Sequence, residues 1–241
     1  MRWLVLLAFL LVSACAGAVV PSGGVQQGMA PAAAAPRDDV AAAARDFAHV
    51  VDRMQPVIER SCRSENPGLN CDFLIVVDDR PGIPPNAFQT IDRRSGRPVI
   101  GLTLSLIAEA RNREELAFVL GHEAGHHIAG HIPRRRESAL AGALILGTLA
   151  SLGGADAASV RTAQNLGADL GARRYSQEFE LEADAWGTVL AYRAGFDPVR
   201  GAAFFGRIPD PGHGFLATHP PNAQRMELVA RTAAALRRGE S

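Results

Sequence analysis

A His-Glu-x-x-His motif, His122-Glu123-Ala124-Gly125-His126, is the part of this sequence best suited to chemistry. In a helix its two histidines lie about 40° apart around the axis, so both imidazoles project from one face. Two neutral imidazoles placed in this way can bind one Zn²⁺ ion. Glu123 can reach a water on that ion and act as general base, which predicts metal-assisted hydrolysis. A polar helix face with two solvated histidines is the alternative that the motif alone leaves open.

A hydrolytic zinc site needs a third protein ligand and one open position for water. The pattern His-Glu-x-x-His-x-x-Gly-x-x-His would supply it from the same helix, but Ala129 and Ile132 occupy the later Gly and His positions. His131 and His127 would lie about 180° and 140° from His122 around a continuous helix. Both are interpreted as histidines of a polar face or core edge, and His213, between two glycines, is assigned no role.

Hydrophobic periodicity and turn residues predict the elements that position the motif. The motif lies in a helix over 114–131, which Pro133 is expected to stop, and Thr103 is the expected N-cap of a short helix before it. The apolar run 139–152 is too short to span a bilayer, so a buried or partly exposed core helix is favoured over a surface that faces lipid or a partner. The other expected elements are helices over 38–60, 138–173 (broken near Gly153-Gly154), 176–194 and 222–238, a strand over 72–77, and a hairpin of 87–90 and 98–102.

The first residues are typical of an exported chain. A basic start and the apolar run Trp3 to Val12 fit a secretory signal, and Val12-Ser13-Ala14-Cys15 resembles a bacterial lipobox. Ordinary cleavage around Ala14-Cys15-Ala16 is the alternative. We therefore expect a signal peptide over 1–15 with lipidation at Cys15, a flexible Ala/Gly/Pro-rich tether over 16–36 and one folded domain over 37–241.

The remaining cysteines are also typical of an exported chain, and the overall charge excludes one class of partner. Cys62 and Cys71 flank a short polar loop, and an even pair in an oxidising compartment predicts a disulfide rather than two buried thiols. The formal net charge is zero and the sequence pI is about 7.1, so no nucleic-acid partner is expected.

A second motif completes a resemblance to a known family. His-Glu-x-x-His followed by Glu180-Leu181-Glu182-Ala183-Asp184 resembles the zinc metallopeptidases that include HtpX and the CAAX prenyl endopeptidases, a gluzincin group. The resemblance implies one zinc per chain held by His122, His126 and Glu180, with Asp184 orienting a zinc-bound histidine. The neighbouring carboxylates Glu178 and Glu182 are interpreted as solvated or structural.

Three further segments resemble the same family. They are Pro85-Asn86-Ala87-Phe88, the run Gly101-Leu102 with 115–121, and Thr218-His219-Pro220-Pro221 with Arg225. The resemblance implies an α+β, mainly helical zincin-type domain with a small sheet or hairpin beside the metal helix. It also implies that an extended substrate binds along the strand at Ala87 and Phe88. By the same resemblance His219 either donates to the developing oxyanion or occupies the fourth zinc position; a purely structural loop histidine is the third alternative.

The resemblance lies nearest to soluble periplasmic lipoproteins of the BepA, LoiP and YcaL kind, because no apolar run here is long enough to span a membrane. It implies a zinc endopeptidase of the bacterial periplasm, anchored by lipid to the outer membrane, that cleaves unfolded or misassembled envelope proteins. The outer-membrane assembly machinery is an expected partner. The alternative is a latent protein plugged by His219 that acts as a chaperone-like or binding factor.

Overall fold

A computed structural model of the chain describes residues 40–174, 176–208 and 220–240. The predicted signal peptide and tether, together with Cys15, His213 and His219, lie outside the described residues. Within them the chain forms α1 (Val40–Glu65), β1 (Leu74–Asp78), β2 (Ala87–Ile91), β3 (Pro98–Thr103), α2 (Leu104–Glu109), α3 (Arg113–Ile128), α4 (His131–Leu152), α5 (Ala157–Arg174), α6 (Ser176–Arg193), α7 (Pro198–Ala202), a 3₁₀ turn (Ala203–Gly206) and α8 (Asn222–Arg237). The mainly helical α+β class is confirmed.

The small sheet has the strand order β1-β3-β2. β1 runs parallel to β3, and β2 pairs antiparallel with β3 so that Ala87 faces Leu102 and Phe88 faces Gly101. The predicted hairpin is therefore confirmed. The Phe88 ring covers Gly101 so closely that a Cβ there would lie 2.2 Å from the Phe88 Cζ atom. β2 is an edge strand of the sheet.

α3 is the central helix of the core. It packs against α6 on one side and α1 on another, and Leu116, Phe118 and Leu120 are all buried. A helix that is buried on most of its circumference has no single apolar stripe. Its hydrophobic pattern is consequently weak, and the histidine motif locates it better than periodicity does.

The end of α3 differs from the sequence prediction. α3 ends at Ile128 and not at His131, and Pro133 lies inside the first turn of α4 instead of stopping α3. A first-turn proline is tolerated because its missing N–H would have no partner within the helix. The break is made by Gly130, whose φ of 66° is left-handed, a conformation that glycine adopts without steric cost. It turns the chain so that His131 begins a new helix.

α4 and α5 form an antiparallel pair that joins where the sequence predicted a break, at Gly153 and Gly154. Gly142 and Gly167 allow close contact, since a Cβ on Gly142 would lie 2.0 Å from the Gly167 carbonyl oxygen. The prediction of a core helix over 139–152 holds only in part, because Leu140 and Leu144 are each 70% exposed. Among the described residues, no helix is both long enough and apolar enough to cross a bilayer.

The predicted disulfide is confirmed. Cys62 in α1 is bonded to Cys71, nine residues along the chain, and both cysteines are buried. α1 extends to Glu65, five residues beyond the predicted end at Arg60. The bond ties the end of α1 to the segment that leads into β1.

Candidate metal centre

Three side chains from two helices converge at one point. His122 and His126 project from α3 and Glu180 from α6. The Nε2 atoms of the two histidines are 3.1 Å apart, the Glu180 Oε2 atom is 3.5 Å from Nε2 of His122, and Oε1 is 3.5 Å from Nε2 of His126. Such a triangle of two imidazoles and a carboxylate is a donor set that can hold a metal ion.

The dimensions of this triangle suit zinc. Four ligands at roughly 2.1 Å from a tetrahedral ion lie about 3.4 Å from one another. The three separations in the structure, 3.1 to 3.5 Å, are close to that value. Two histidines and one glutamate also form a donor set typical of hydrolytic zinc, with a fourth position left for water. The residues present therefore fit the ion.

Two glycines explain how the helices come close enough. A Cβ on Gly121 of α3 would lie 3.1 Å from both the Cα and the carbonyl oxygen of Gly187 in α6. Because neither glycine carries a side chain, the backbones can approach each other. α6 can then present Glu180 directly beside the two histidines.

His122 is held by a buried carboxylate. Its Nδ1 atom is 2.9 Å from Oδ1 of Asp184, which is fully buried one turn after Glu180. An ionised carboxylate only accepts hydrogen bonds, so Nδ1 of His122 is the donor, and Nε2 would offer its lone pair to a metal once its own proton is released. Arg225 of α8 fixes this carboxylate in turn, because it donates to both oxygens of Asp184, each at 2.7 Å.

The charges around the triangle favour a cation. Burial disfavours the charged form of His122, but hydrogen bonds to Asp184 and Glu180 outweigh it and raise the pKa of His122 to about 10. Burial and the charge of His122 lower the pKa of His126 to about 3. Burial opposes ionisation of Asp184 too, yet Arg225 and His122 hold its pKa below the usual range. The site thus stabilises one positive charge between the imidazoles.

His126 has a different partner, which the sequence interpretation missed. Its Nδ1 atom is 2.7 Å from Nδ1 of His131, and Nε2 of His131 is 3.1 Å from Oε2 of Glu182. Arg134 donates to the same oxygen of Glu182 at 2.7 Å. The angle of about 180° assumed for His131 applies to a continuous helix, and the break at Gly130 removes that premise. Glu182, interpreted as solvated or structural, takes part in this network.

A cleft of about 630 Å³ lies over the triangle. Glu123 lines it, half-buried, with both histidines and Glu180, so the predicted general base faces the metal position. Ala87 and Gln89 of β2 form part of its wall. Phe88 does not line the cleft, because its ring packs over Gly101 on the sheet. Its backbone nevertheless belongs to the same edge strand.

His127 lies apart from the triangle, as the sequence interpretation expected. Its Nε2 atom is 2.9 Å from the Asn70 carbonyl oxygen, and its ring packs edge-on against Phe73. It is buried and connects α3 to the disulfide loop. Burial lowers the pKa of His127, so the neutral ring is favoured there.

The fold and the donor set define a zincin-type metallopeptidase domain. The sequence profile of peptidase family M48 matches residues 44–233, and the chain therefore belongs to that family. Membership of a metallopeptidase family implies a divalent metal. His122, His126 and Glu180 are the group in the described residues with the geometry to bind it.

Three curated relatives resemble part of the chain. A beta-barrel assembly-enhancing protease of Vibrio cholerae is 32% identical over 121 residues, 46% of this chain and 24% of that protein. Metalloprotease LoiP of Escherichia coli is 30% identical over 120 residues, 48% of each chain. Mitochondrial metalloendopeptidase OMA1 of Arabidopsis thaliana is 28% identical over 130 residues, 52% of this chain and 26% of that protein. The matches span about half or less of each relative.

Proposed function

We propose that this chain is a zinc-dependent endopeptidase of the bacterial envelope that cleaves unfolded or misassembled envelope proteins. The observation that carries the proposal is the triangle of His122, His126 and Glu180, which opens into a cleft lined by Glu123 and by an edge strand. The triangle supplies three ligands, the cleft admits a chain, and the carboxylate can accept a proton. Metal-assisted peptide hydrolysis requires these three features together.

Each residue has a distinct part in the reaction. His122, His126 and Glu180 would hold one zinc ion, which when bound lowers the pKa of water and polarises a carbonyl oxygen. Glu123 takes the proton from the attacking water and passes it to the leaving amine. Asp184 and Arg225 keep His122 in the tautomer whose Nε2 lone pair faces the metal position. The proposed role of His219, as oxyanion donor or as fourth ligand, remains a prediction from the sequence.

The open edge of β2 favours an unfolded protein as the substrate. An extended peptide can pair with the open side of β2, and its main-chain hydrogen bonds do not depend on sequence. Ala87 and Gln89 lie in the cleft wall, so a strand added there would run past Glu123. Folded proteins mostly cover or blunt the edges of their sheets, so a strand free to pair with β2 is more accessible in unfolded or misassembled chains.

The envelope location rests on the lipobox-like Val12-Ser13-Ala14-Cys15 and on the names of relatives. Relatives named for beta-barrel assembly and as metalloprotease LoiP match 46% and 48% of this chain. We propose that Cys15 carries the lipid, that the anchor lies in the outer membrane, and that the assembly machinery there is a partner. The disulfide of Cys62 and Cys71 is consistent with an oxidising compartment.

Proteolysis of unfolded casein by the zinc-loaded protein tests the activity, and Glu123→Gln is the matched control. Glu123→Gln keeps the size of the side chain and the three ligands but removes the base, so cleavage should fall by about 10²-fold or more while zinc stays bound. Metal analysis of Glu180→Ala tests the third ligand. Full zinc retention in that variant would show that Glu180 is not a ligand.

The latent, chaperone-like alternative predicts a different result. The wild type would bind one zinc and suppress aggregation of an unfolded protein, yet cleave it no faster than Glu123→Gln. A substrate-trapping pull-down with Glu123→Gln from envelope extracts would then identify the bound proteins. Capture of misassembled outer-membrane proteins would support the proposed substrate class.

A further inference from the structure

The two histidines of the metal triangle are held in different ways. Asp184 contacts His122 directly, whereas the contact to His126 is made by another imidazole, that of His131. Each network continues to a carboxylate of α6, and each carboxylate is in turn bound by an arginine. The carboxylate of the second network, Glu182, lies about 200° around α6 from Glu180. It therefore points away from the triangle, and His131 bridges the distance between Glu182 and His126.

The hydrogen bonds of this second network determine where its protons lie. Glu182 accepts from Arg134 and, as a carboxylate, offers no proton to His131. Nε2 of His131 must then be the donor in the 3.1 Å contact with Glu182. In a neutral ring this leaves a lone pair on Nδ1 of His131. That lone pair can accept a hydrogen bond from the Nδ1–H group of His126, with the two nitrogens 2.7 Å apart. Nε2 of His126 is thereby left free to bind a metal.

Packing fixes the ring of His131 in this position. Its imidazole stacks on the Phe179 ring with centroids 4.4 Å apart and planes 13° apart, and only 4% of the residue is exposed. Phe179 immediately precedes Glu180, so the stack also joins His131 to the helix that carries the third ligand. The left-handed turn at Gly130 is what places the ring there.

We propose that His131 is a positioning residue for the metal centre. It accepts a hydrogen bond from the Nδ1–H group of His126 and so fixes the tautomer and orientation of that ligand. Glu182 and Arg134 hold His131 in the accepting state. The inference rests on the proposed metal centre, and it adds a residue that does not itself touch the metal. A partner of this kind typically contributes about 10- to 100-fold to metal affinity.

Zinc affinity, measured by competition with a chromophoric chelator on the full chain, tests the proposal. His131→Phe keeps the stack on Phe179 but removes both nitrogens, so the Kd for Zn²⁺ should rise about 10- to 100-fold. His131→Gln can both accept from His126 and donate to Glu182, and it should recover most of the affinity. The visible absorption of the Co²⁺-loaded protein should change in His131→Phe and return towards wild type in His131→Gln, which loss of packing alone would not produce.

His127→Phe is the matched control, because His127 is the neighbouring buried histidine and contacts Asn70 and Phe73 instead of a ligand. Its Zn²⁺ affinity should equal that of the wild type. Combining His131→Phe with Glu182→Ala should cost no more affinity than His131→Phe alone, since Glu182 acts through His131.

Wild-type Zn²⁺ affinity and an unchanged Co²⁺ spectrum in His131→Phe would overturn the proposal, as would an equal loss in His127→Phe. If His131→Phe does not fold, Glu182→Ala decides: weaker Zn²⁺ binding supports the network and unchanged binding refutes it. A wild-type chain that binds no Zn²⁺ at all would instead refute the metal centre, and with it this inference.

Discussion

Gly125 of the histidine motif lies directly against Trp186 of α6. A Cβ on Gly125 would be 2.7 Å from the Cβ of Trp186 and 3.1 Å from the carbonyl oxygen of Ala183. Real Cβ atoms do not approach one another this closely, so the position requires glycine. Gly125 also lies between the two histidine ligands in the sequence. Its lack of a side chain therefore sets the distance between α3 and α6, the helix that supplies Glu180.

Gly125→Ala should consequently destabilise the protein. In an exposed helix this substitution would stabilise by about 1 kcal/mol, because alanine is the better helix former. Here the added methyl group must push α3 away from α6, which we expect to cost about 1–3 kcal/mol and to weaken Zn²⁺ binding. Chemical denaturation and a zinc titration would measure both effects. Gly68→Ala is the matched control, since no atom lies within 4 Å of a Cβ there. A more stable Gly125→Ala would contradict the contact.

Asp184→Ala should be among the most destabilising substitutions. It removes both 2.7 Å hydrogen bonds of the buried Arg225 guanidinium and leaves it only the 3.5 Å contact with Glu180. Breaking a buried pair in this way costs about 3–5 kcal/mol. Removing Arg225 as well should recover part of that loss, so the double variant should cost less than the two single variants together. Denaturant titration of the two single variants and the double variant measures the coupling.

Glu227→Ala provides the comparison for this pair. Glu227 and Arg231 also form an ion pair on α8, but their side chains are 70% and 60% exposed. Exposed pairs contribute about 0–1 kcal/mol, so the change in unfolding free energy should be small. Equal losses in Glu227→Ala and Asp184→Ala would show that burial does not determine the cost.

The elements and the two histidines of the metal triangle could be predicted because local chemistry encodes them. Thr103 accepts a hydrogen bond from the Leu106 N–H as the N-cap of α2, as predicted. The spacing of His122 and His126 places both on one face of α3. Identifying Glu180 needed more than spacing, because α6 carries several carboxylates and only the resemblance selected one.

The role of His131 could not be predicted from helical geometry. Its direction depends on the left-handed conformation of Gly130, and a single φ angle reorients everything after it. The sequence signal lies in Ala129-Gly130, a small residue and a glycine ahead of Pro133, whereas the sequence prediction assigns the stop to the proline. The extent to which Leu140 and Leu144 are exposed could not be predicted either, since an apolar run does not show which of its side chains pack against other elements.

The disulfide should contribute measurably to stability. Closing a loop of about ten residues restricts the unfolded chain and stabilises by roughly 2–3 kcal/mol in the chain-entropy model. Cys62→Ser with Cys71→Ser should lower the unfolding free energy by about that amount. Both cysteines lie away from the cleft residues, so the Kd for Zn²⁺ should not change. Mass spectrometry that found two free thiols in the purified protein would contradict the bond.

His219 carries the last prediction. It lies outside the described residues, but Pro220 and Pro221 immediately after it are buried, and Arg225 on the helix that follows lines the cleft. The start of α8 is therefore anchored at the metal centre through Asp184. This anchoring motivates a direct test of the two roles that the resemblance gives to His219.

The two roles predict opposite results for His219→Ala. An oxyanion donor acts in the transition state, so its loss should lower kcat by about 10²–10³ with zinc affinity unchanged. A fourth ligand excludes water at rest, so its loss should weaken zinc binding and raise basal cleavage of unfolded casein. We favour a residue that serves both roles, and therefore expect faster cleavage if release of the fourth ligand limits the wild type and slower cleavage if chemistry limits it. His213→Ala serves as the control, because His213 precedes the same helix without a predicted role. Unchanged cleavage and unchanged zinc affinity in His219→Ala would leave His219 as a structural loop residue.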